Sequence, residues 1–254
     1  MPYSVRDNIS DKVNQKLLDL QAHLTDAGRR YLSAHRTRCY DDARLVSSLG
    51  VDKKVINIGG APYVFEAISS AMGMRCTSVD IDPKNGANIV EALDLDVKQA
   101  NIERTDEIKR LELGDYDVIV LCEVFEHLRV NLAETIGEIH SQMRNGAILY
   151  LTTPNFYFFR NFSKRVILDR SGPPVFEEWS KINTIGYMGH VREYSRTELI
   201  HFFEMIGFGN ISCSVRNRDS KILPGLKFFP SLFCLPFERL FDRFGQEFVF
   251  TLQK

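Results

Sequence analysis

Apolar and polar residues follow two alternating patterns along the chain. Short apolar runs rich in β-branched residues, among them 55–58, 118–122 and 147–151, are typical of buried strands. Between these runs apolar residues recur three or four positions apart, as from Val64 to Met72, which predicts helices. Strands that alternate with helices predict an α/β protein with a mostly parallel sheet. We place seven strands, the last of them near 247–252.

The N-terminal region departs from this alternation. Residues 7–49 read as helical, because four apolar residues share one helical face, and we assign residues 1–50 to this region. These residues are Val13, Leu17, Leu20 and Leu24. The pattern predicts an N-terminal helical cap ahead of a domain that spans residues 51–254. The cap is expected to lie over the ligand edge of the sheet, to pack against a second subunit of a homodimer, or only to cover the core.

Two later segments also stand apart. At about 156–190 aromatic and basic residues are crowded together, which predicts an inserted substrate lid. Its aromatic and basic side chains can stack bases, hold a sugar or only fill a core. The segment 222–244 is apolar and punctuated by proline. We interpret it as a core helix, with a dimer face or a peripheral membrane contact as the alternatives.

Composition narrows the classes of partner and the compartment. The 254 residues include 32 basic and 33 acidic side chains, so the net charge of −1 provides no global field for nucleic acid or an anionic membrane. The five cysteines lack paired spacing, which favours reduced thiols and a cytoplasmic protein. No run approaches eighteen apolar residues and no leader precedes the first helix, so we expect neither a membrane span nor secretion.

The turn after the first strand indicates a nucleoside site. The strand stops at Gly59-Gly60 and a helix follows, so backbone amides lie at the carboxyl edge of the sheet. Asp80 ends the second strand about twenty residues later, where an acid can accept both hydroxyls of a ribose. Ala61 and Tyr63 stand where a pyrophosphate-binding turn needs glycine, so an adenine nucleoside without a pyrophosphate is favoured.

A cluster of acids and imidazoles follows the fourth strand. The strand delivers Glu123 to its carboxyl end, and Glu126 and His127 follow three and four residues later. Two carboxylates and an imidazole that converge are typical ligands of a hard or borderline divalent cation. The alternative is that these side chains hydrogen-bond loop backbone.

The first turn resembles motif I of class I S-adenosylmethionine-dependent methyltransferases, whose usual form has an acid at position 57 and glycines at 59, 61 and 63. The resemblance implies a Rossmann-like, seven-stranded, mostly parallel sheet with helices on both faces, and S-adenosylmethionine as cofactor. It also implies that Asn101 hydrogen-bonds the adenine amino group, although a turn asparagine can instead satisfy its own backbone. The cofactor-binding residues implied are Gly59, Gly60, Asp80, Ile81, Asn101, Ile102 and Cys122.

The cluster, the loop Thr152-Thr-Pro-Asn155 and the segment His190-Val-Arg-Glu-Tyr194 resemble one branch of that family. The branch includes ubiquinone-pathway O-methyltransferases and small-RNA 2′-O-methyltransferases. The resemblance implies Mg²⁺ or another divalent cation on Glu123, Glu126, His127 and His190. The catalytic residues implied are His127, His190 and Glu123, with a histidine as general base where no metal is used.

Four functional hypotheses follow. The first is O-methylation of a small hydroxylated molecule, most plausibly a sugar of a cell-surface glycan or its lipid-linked precursor. The second is methylation of the 3′-terminal ribose of RNA, which the neutral net charge disfavours. A nicotinamide-dependent oxidoreductase is disfavoured by the missing glycines. A scaffold that binds S-adenosylmethionine without catalysis is suggested by Asn57, Ala61 and Tyr63.

Overall fold

The structure of the protein is a computed structural model that describes residues 3–159, 161, 165–166, 175–185, 189–217 and 244–254. The predicted lid at about 156–190 is therefore described only in part. The predicted apolar segment 222–244 lies outside the described residues except for Phe244.

Seven strands form one mixed sheet, as the sequence predicts. Their order is β3-β2-β1-β4-β5-β7-β6, in which β1 is parallel to β2 and β4, β2 is parallel to β3, and β7 is antiparallel to β6. The strands are β1 (Lys54–Ile58), β2 (Arg75–Asp80), β3 (Asp96–Gln99), β4 (Val118–Cys122), β5 (Ile148–Pro154), β6 (Gly209–Arg216) and β7 (Glu247–Gln253).

Helices connect most of these strands. In the described residues, short 3₁₀ helices at Pro83–Gly86, Leu113–Asp115 and Phe125–His127 lie between strands. The α-helices in the described part of the chain are α1 (Tyr3–His23), α2 (Asp26–Ser48), α3 (Val64–Ala71), α4 (Ala87–Leu93), α5 (Thr105–Lys109), α6 (Leu132–Gln142), α7 (Val175–Ile185) and α8 (Arg196–Ile206). None of the helices in the described residues is long and apolar enough to cross a membrane.

The chain divides into two compact units. The first comprises residues 1–121, 134–150 and 254, and the second comprises residues 122–133 and 151–253. The first unit includes the N-terminal helices, because α1 and α2 both contact α3. The division into compact units does not test the predicted domain boundary at residue 50, which stays a prediction.

In the first unit the predicted helical pattern of the N-terminal region is confirmed. The four apolar residues predicted to share a face are all buried, at no more than 4% exposure. The helical stretch is broken after His23, because Thr25 caps a second helix by accepting a hydrogen bond from the backbone N–H of Gly28. Asn88 Nδ2 donates to the carbonyl of His23, which ties the end of α1 to α4.

In the second unit an aromatic core holds the loop after β4. The ring of Phe125 lies 5.3 Å from that of Tyr194, 5.8 Å from Phe202 and 6.1 Å from Phe203, measured between centroids. Phe203 also contacts Phe250 of β7, and both are fully buried. Aromatic pairs of this geometry stabilise beyond their buried area. Phe125 therefore fixes the backbone that carries the next two residues of the chain.

Two strand predictions needed adjustment. β5 runs three residues further than predicted, through Thr152 and Thr153 to Pro154, because both threonines are fully buried and suit a strand. The run 94–99 predicts the third strand, but β3 begins at Asp96, since Asp94 ends α4 in the left-handed conformation. The spacing of Ser195 and Glu198 predicts a capping box, and the two residues form one at the start of α8.

Candidate active site

The first unit presents three turns at the carboxyl ends of β1, β2 and β3. The turn after β1 is tied to β2, because the backbone N–H groups of Gly59 and Gly60 both donate to the carbonyl of Val79. Gly59 has a φ of +84°, which a glycine adopts without strain. The end of β2 is tied to β3 by Ala100 N–H, which donates to the carbonyl of Asp80. The three turns therefore form one continuous edge.

Asp80 occupies the position expected for a ribose-binding acid. Its Oδ2 accepts from the backbone N–H of Ala61 at 3.3 Å, and its Oδ1 accepts from the N–H of Asp82 at 2.9 Å. A carboxylate has about four lone-pair sites, so each oxygen can accept one further hydrogen bond. Asp80 is half-buried, and the neighbouring Ile81 is 58% exposed and offers an apolar surface. The binding of an adenosine by these residues stays a prediction.

Asn101 follows β3 and is already engaged in its own turn. Its Oδ1 accepts from the N–H of Glu103 at 2.9 Å, and its own N–H donates to the carboxylate of Glu107. This is the turn interaction that the sequence left open as an alternative to adenine binding. Ile102, beside it, is buried. The adenine-binding role of Asn101 therefore stays a prediction.

The second unit brings together three of the four predicted metal ligands. One ligand atom each of Glu126, His127 and His190 lies within 4.8 Å of the others. Glu126 Oε1 is 3.8 Å from His127 Nε2 and 3.9 Å from His190 Nε2. Ligands of one divalent ion at about 2.1 Å lie about 3 to 3.6 Å apart, so the two distances from Glu126 Oε1 need to shorten by less than about 1 Å to hold an ion.

The hydrogen bonds of the two imidazoles fix which nitrogen each offers. His127 Nδ1 lies 3.2 Å from the carbonyl oxygen of Gly189, and His190 Nδ1 lies 2.9 Å from Glu193 Oε1. Both partners only accept, so each Nδ1 carries a proton, and in the neutral ring Nε2 carries the lone pair. A hydrogen bond from the second ring nitrogen to a carbonyl or carboxylate is the usual support of a metal-bound histidine.

Glu126 is the buried member of this cluster. It is 1% exposed, its Oε2 accepts from the hydroxyl of Thr153, and its Oε1 has no hydrogen-bond partner among the described residues. Burial, followed by the charge of Glu123, raises its pKa to about 8. The metal-free carboxyl therefore holds a proton near neutral pH, and a cation bound at Oε1 would replace that proton.

His190 belongs to a chain of charged hydrogen bonds. Its Nδ1 donates to Glu193, and Glu193 accepts in turn from Arg165. The hydrogen bond to Glu193 raises the pKa of His190, against burial. Burial raises the pKa of Glu193, but the hydrogen bonds from His190 and Arg165 outweigh it and lower that pKa. Glu193 therefore remains a carboxylate that orients the His190 ring.

Glu123 lies apart from the group of three ligand atoms. Its backbone has a φ of +56°, in the left-handed region that a non-glycine residue rarely adopts, and its N–H donates to the carbonyl of Thr152. Such strain is common in active sites. Its charge acts on the Glu126 carboxyl, so it lies close to the cluster without completing it. Cys122 ends β4 and is half-buried.

Sequence reasoning missed three residues that shape these sites. Thr153 and Glu193 bond to the predicted ligands, and their positions follow only from the fold. The third is Glu66, whose buried carboxylate lies beneath the first turn. A single acid inside the apolar run Val64-Phe-Glu-Ala-Ile68 was a signal that could have identified it.

Comparison with known families gives one match that covers most of the chain. The profile of a family described as "Methyltransferase domain" matches residues 29–213, which include both candidate sites. A comparison with curated protein sequences finds no significant match.

Solved structures with similar folds are distant in sequence. A SAM dependent methyltransferase from Archaeoglobus fulgidus is 15% identical with a TM-score of 0.56, and the match covers 89% of this chain and 99% of that one. A possible histamine N-methyltransferase from Thermotoga maritima is 13% identical with a TM-score of 0.59, covering 92% and 98%. An O-methyltransferase family protein from Burkholderia thailandensis is 16% identical with a TM-score of 0.52, covering 92% and 61%. At these identities the likeness concerns the fold.

Proposed function

The chain belongs to the methyltransferase domain family and is an S-adenosylmethionine-dependent methyltransferase; from that premise we propose that it methylates a hydroxyl group with the help of a divalent cation. The observation that supports this proposal best is the position of Glu126 Oε1. This buried carboxylate oxygen has no hydrogen-bond partner among the described residues, and it lies 3.8 Å from His127 Nε2 and 3.9 Å from His190 Nε2. An oxygen and two nitrogens suit Mg²⁺, Mn²⁺ or a similar ion.

The proposed division of labour assigns the cofactor to the first unit. The ribose hydroxyls would be held by Asp80, whose oxygens keep lone pairs after their two backbone hydrogen bonds. The turn at Gly59 and Ala61 would lie against the cofactor, and Gly60, Ile81, Asn101 and Ile102 are the remaining predicted contacts in this unit. The cofactor supplies a sulfonium methyl that is already activated for displacement.

The residues of the second unit would prepare the acceptor. A hydroxyl is a poor nucleophile at neutral pH, and a bound cation would lower its pKa. Glu126, His127 and His190 would hold that cation, and Glu123 is proposed as a further ligand that acts once the ion is present. The histidine side chains are 36% and 39% exposed, so an acceptor can reach them from solvent. Their Nε2 lone pairs could instead accept the hydroxyl proton.

We propose a sugar of a cell-surface glycan or its precursor as the acceptor. The described part of the predicted lid carries Phe176 and Trp179, which are 82% and 58% exposed and offer flat apolar faces to a sugar ring. The balanced charge of the chain, −1 overall, gives little attraction for a polyanion. RNA with a free 3′-terminal ribose is the second candidate, supported by the same cluster because adjacent hydroxyls can chelate one ion.

Transfer of a labelled methyl group from S-adenosylmethionine tests the proposal. The acceptors are free sugars, nucleotide-linked sugars, total RNA and simple amines, each assayed with Mg²⁺, with Mn²⁺ and with a chelator. We expect label in a sugar hydroxyl, lost with the chelator and in His190→Ala. The control is His201→Ala, which removes an exposed histidine of α8 outside the cluster. Label in RNA would support the second candidate, whereas label in amines alone, unaffected by chelator, would contradict both.

A further inference from the structure

Glu66 is an acid in an apolar setting. It lies in the first turn of α3, between Phe65 and Ala67, and is 1% exposed. Carboxylates are rarely buried to this extent unless a partner compensates. Burial raises the pKa of this carboxyl to about 7, which shows how poorly the site tolerates its charge. Burying an ionisable acid between a helix and a sheet lowers stability, and residues that break the usual pattern of burial in this way concentrate at functional sites.

One oxygen of this carboxylate joins α3 to two strands. Oε1 accepts from Asn57 Nδ2 and from the hydroxyl of Ser78, each at 2.7 Å. Asn57 and Ser78 are register partners in β1 and β2. They lie two residues before Gly59 and Asp80, so Glu66 fixes both strands immediately ahead of the two turns proposed to hold the cofactor.

The first turn is in direct contact with this hydrogen-bonded group. A Cβ atom added at Gly60 would lie 1.9 Å from Ser78 Oγ and 2.5 Å from Glu66 Oε1, so the backbone of the turn rests on these two atoms. The next residue, Ala61, donates its N–H to the Asp80 carboxylate. A shift of the Glu66 carboxylate would therefore displace the turn and the acid that it orients.

We propose that Glu66 is a positioning residue for the cofactor, one that sets the backbone of residues 59–61 and the carboxylate of Asp80 through its shared bonds with Asn57 and Ser78. The inference rests on the cofactor site proposed above. Glu66 acts through the turn, because its carboxylate lies against the backbone of Gly60. The sequence motif places the acid at position 57, and here an amide stands at 57 with the acid supplied from α3.

Calorimetric titration of S-adenosylmethionine at pH 8 into a set of variants tests the inference. Glu66→Gln keeps an acceptor oxygen for both bonds, so its Kd should stay within about threefold of the native value. Glu66→Ala loses both bonds and should bind roughly tenfold more weakly or worse. Asn57→Asp places a second carboxylate beside the first and should also weaken binding. The double variant Asn57→Asp/Glu66→Gln exchanges acid and amide, and should recover most of the affinity.

Two further measurements separate this inference from its premise. Each variant is checked by circular dichroism and by Mn²⁺ binding, which a folded second unit retains. If Glu66→Ala does not fold, the variants Glu66→Gln, Asn57→Asp and Asn57→Asp/Glu66→Gln still test the inference, because each of them keeps a polar group at both positions. Asp80→Ala tests the cofactor site itself. Weak binding by Asp80→Ala with normal binding by Glu66→Ala would overturn only the role of Glu66. Normal binding by Asp80→Ala would overturn the cofactor site and this inference together.

Discussion

The buried carboxyl of Glu66 makes the stability of the fold depend on pH in a defined direction. Its pKa is about 7 in the folded protein against an ordinary value of 4.5. Between these values the folded state keeps a proton that the unfolded state has released, so the free energy of unfolding falls as pH rises. Above pH 7 the carboxyl is ionised in both states, and the free energy of unfolding stays lower by the full cost of ionising the buried group. At 1.36 kcal/mol per pKa unit it amounts to about 3 kcal/mol.

Glu66→Gln removes this cost because an amide does not ionise. The melting temperature of the variant, relative to the native protein, should therefore rise between pH 4.5 and pH 8. For a chain of this size 1 kcal/mol corresponds to roughly 2–4 °C, so the relative gain should be roughly 6–12 °C. Glu204→Gln, at an exposed position of α8, is the matched control and should show no such trend. The reasoning would be refuted if the difference in melting temperature between the native protein and Glu66→Gln stayed constant between pH 4.5 and pH 8.

Three further predictions address the two sites and the core. Asp80→Ala should weaken S-adenosylmethionine binding in calorimetry by about tenfold or more, through loss of a charged acceptor, and should leave Mn²⁺ binding unchanged; equal affinities would contradict its role. Glu193→Gln should lower Mn²⁺ affinity, measured by electron paramagnetic resonance, by roughly 10- to 100-fold, because the His190 ring loses its orienting carboxylate; an unchanged affinity would argue against that support. Phe203→Ala should lower the free energy of unfolding in urea by about 3–5 kcal/mol and Phe203→Leu by clearly less, whereas equal losses would contradict a packing role.

The alternation of strands and helices was sufficient to predict the sheet. Runs such as 118–122 are buried along most of their length, and a continuous apolar run is the sequence pattern expected of a parallel strand covered on both faces. Element ends were harder, because they depend on single residues. The break after His23 depends on the hydroxyl of Thr25, and the extension of β5 depends on the burial of Thr153. Neither interaction leaves a periodic signal.

The candidate sites were predictable where residues adjoin a strand end, and less so where they come from elsewhere in the chain. Glu126 and His127 lie in the loop that follows β4, so their spacing after the strand was sufficient to predict that they lie close together. Glu193 could not be assigned a role, because its bond to His190 depends on the conformation of the loop before α8. Glu66 was missed because a motif at residues 57–63 directs attention to position 57, whereas the acid reaches the turn from the following helix.

Titration of Mn²⁺ followed by electron paramagnetic resonance tests the central claim most directly. The claim is that Glu126, His127 and His190 hold a divalent cation for an acceptor hydroxyl. We predict that the native protein binds one ion per chain, that His201→Ala binds it equally well, and that His190→Ala loses at least roughly tenfold in affinity. Absence of binding to the native protein, or equal binding by native protein and His190→Ala, would contradict the account.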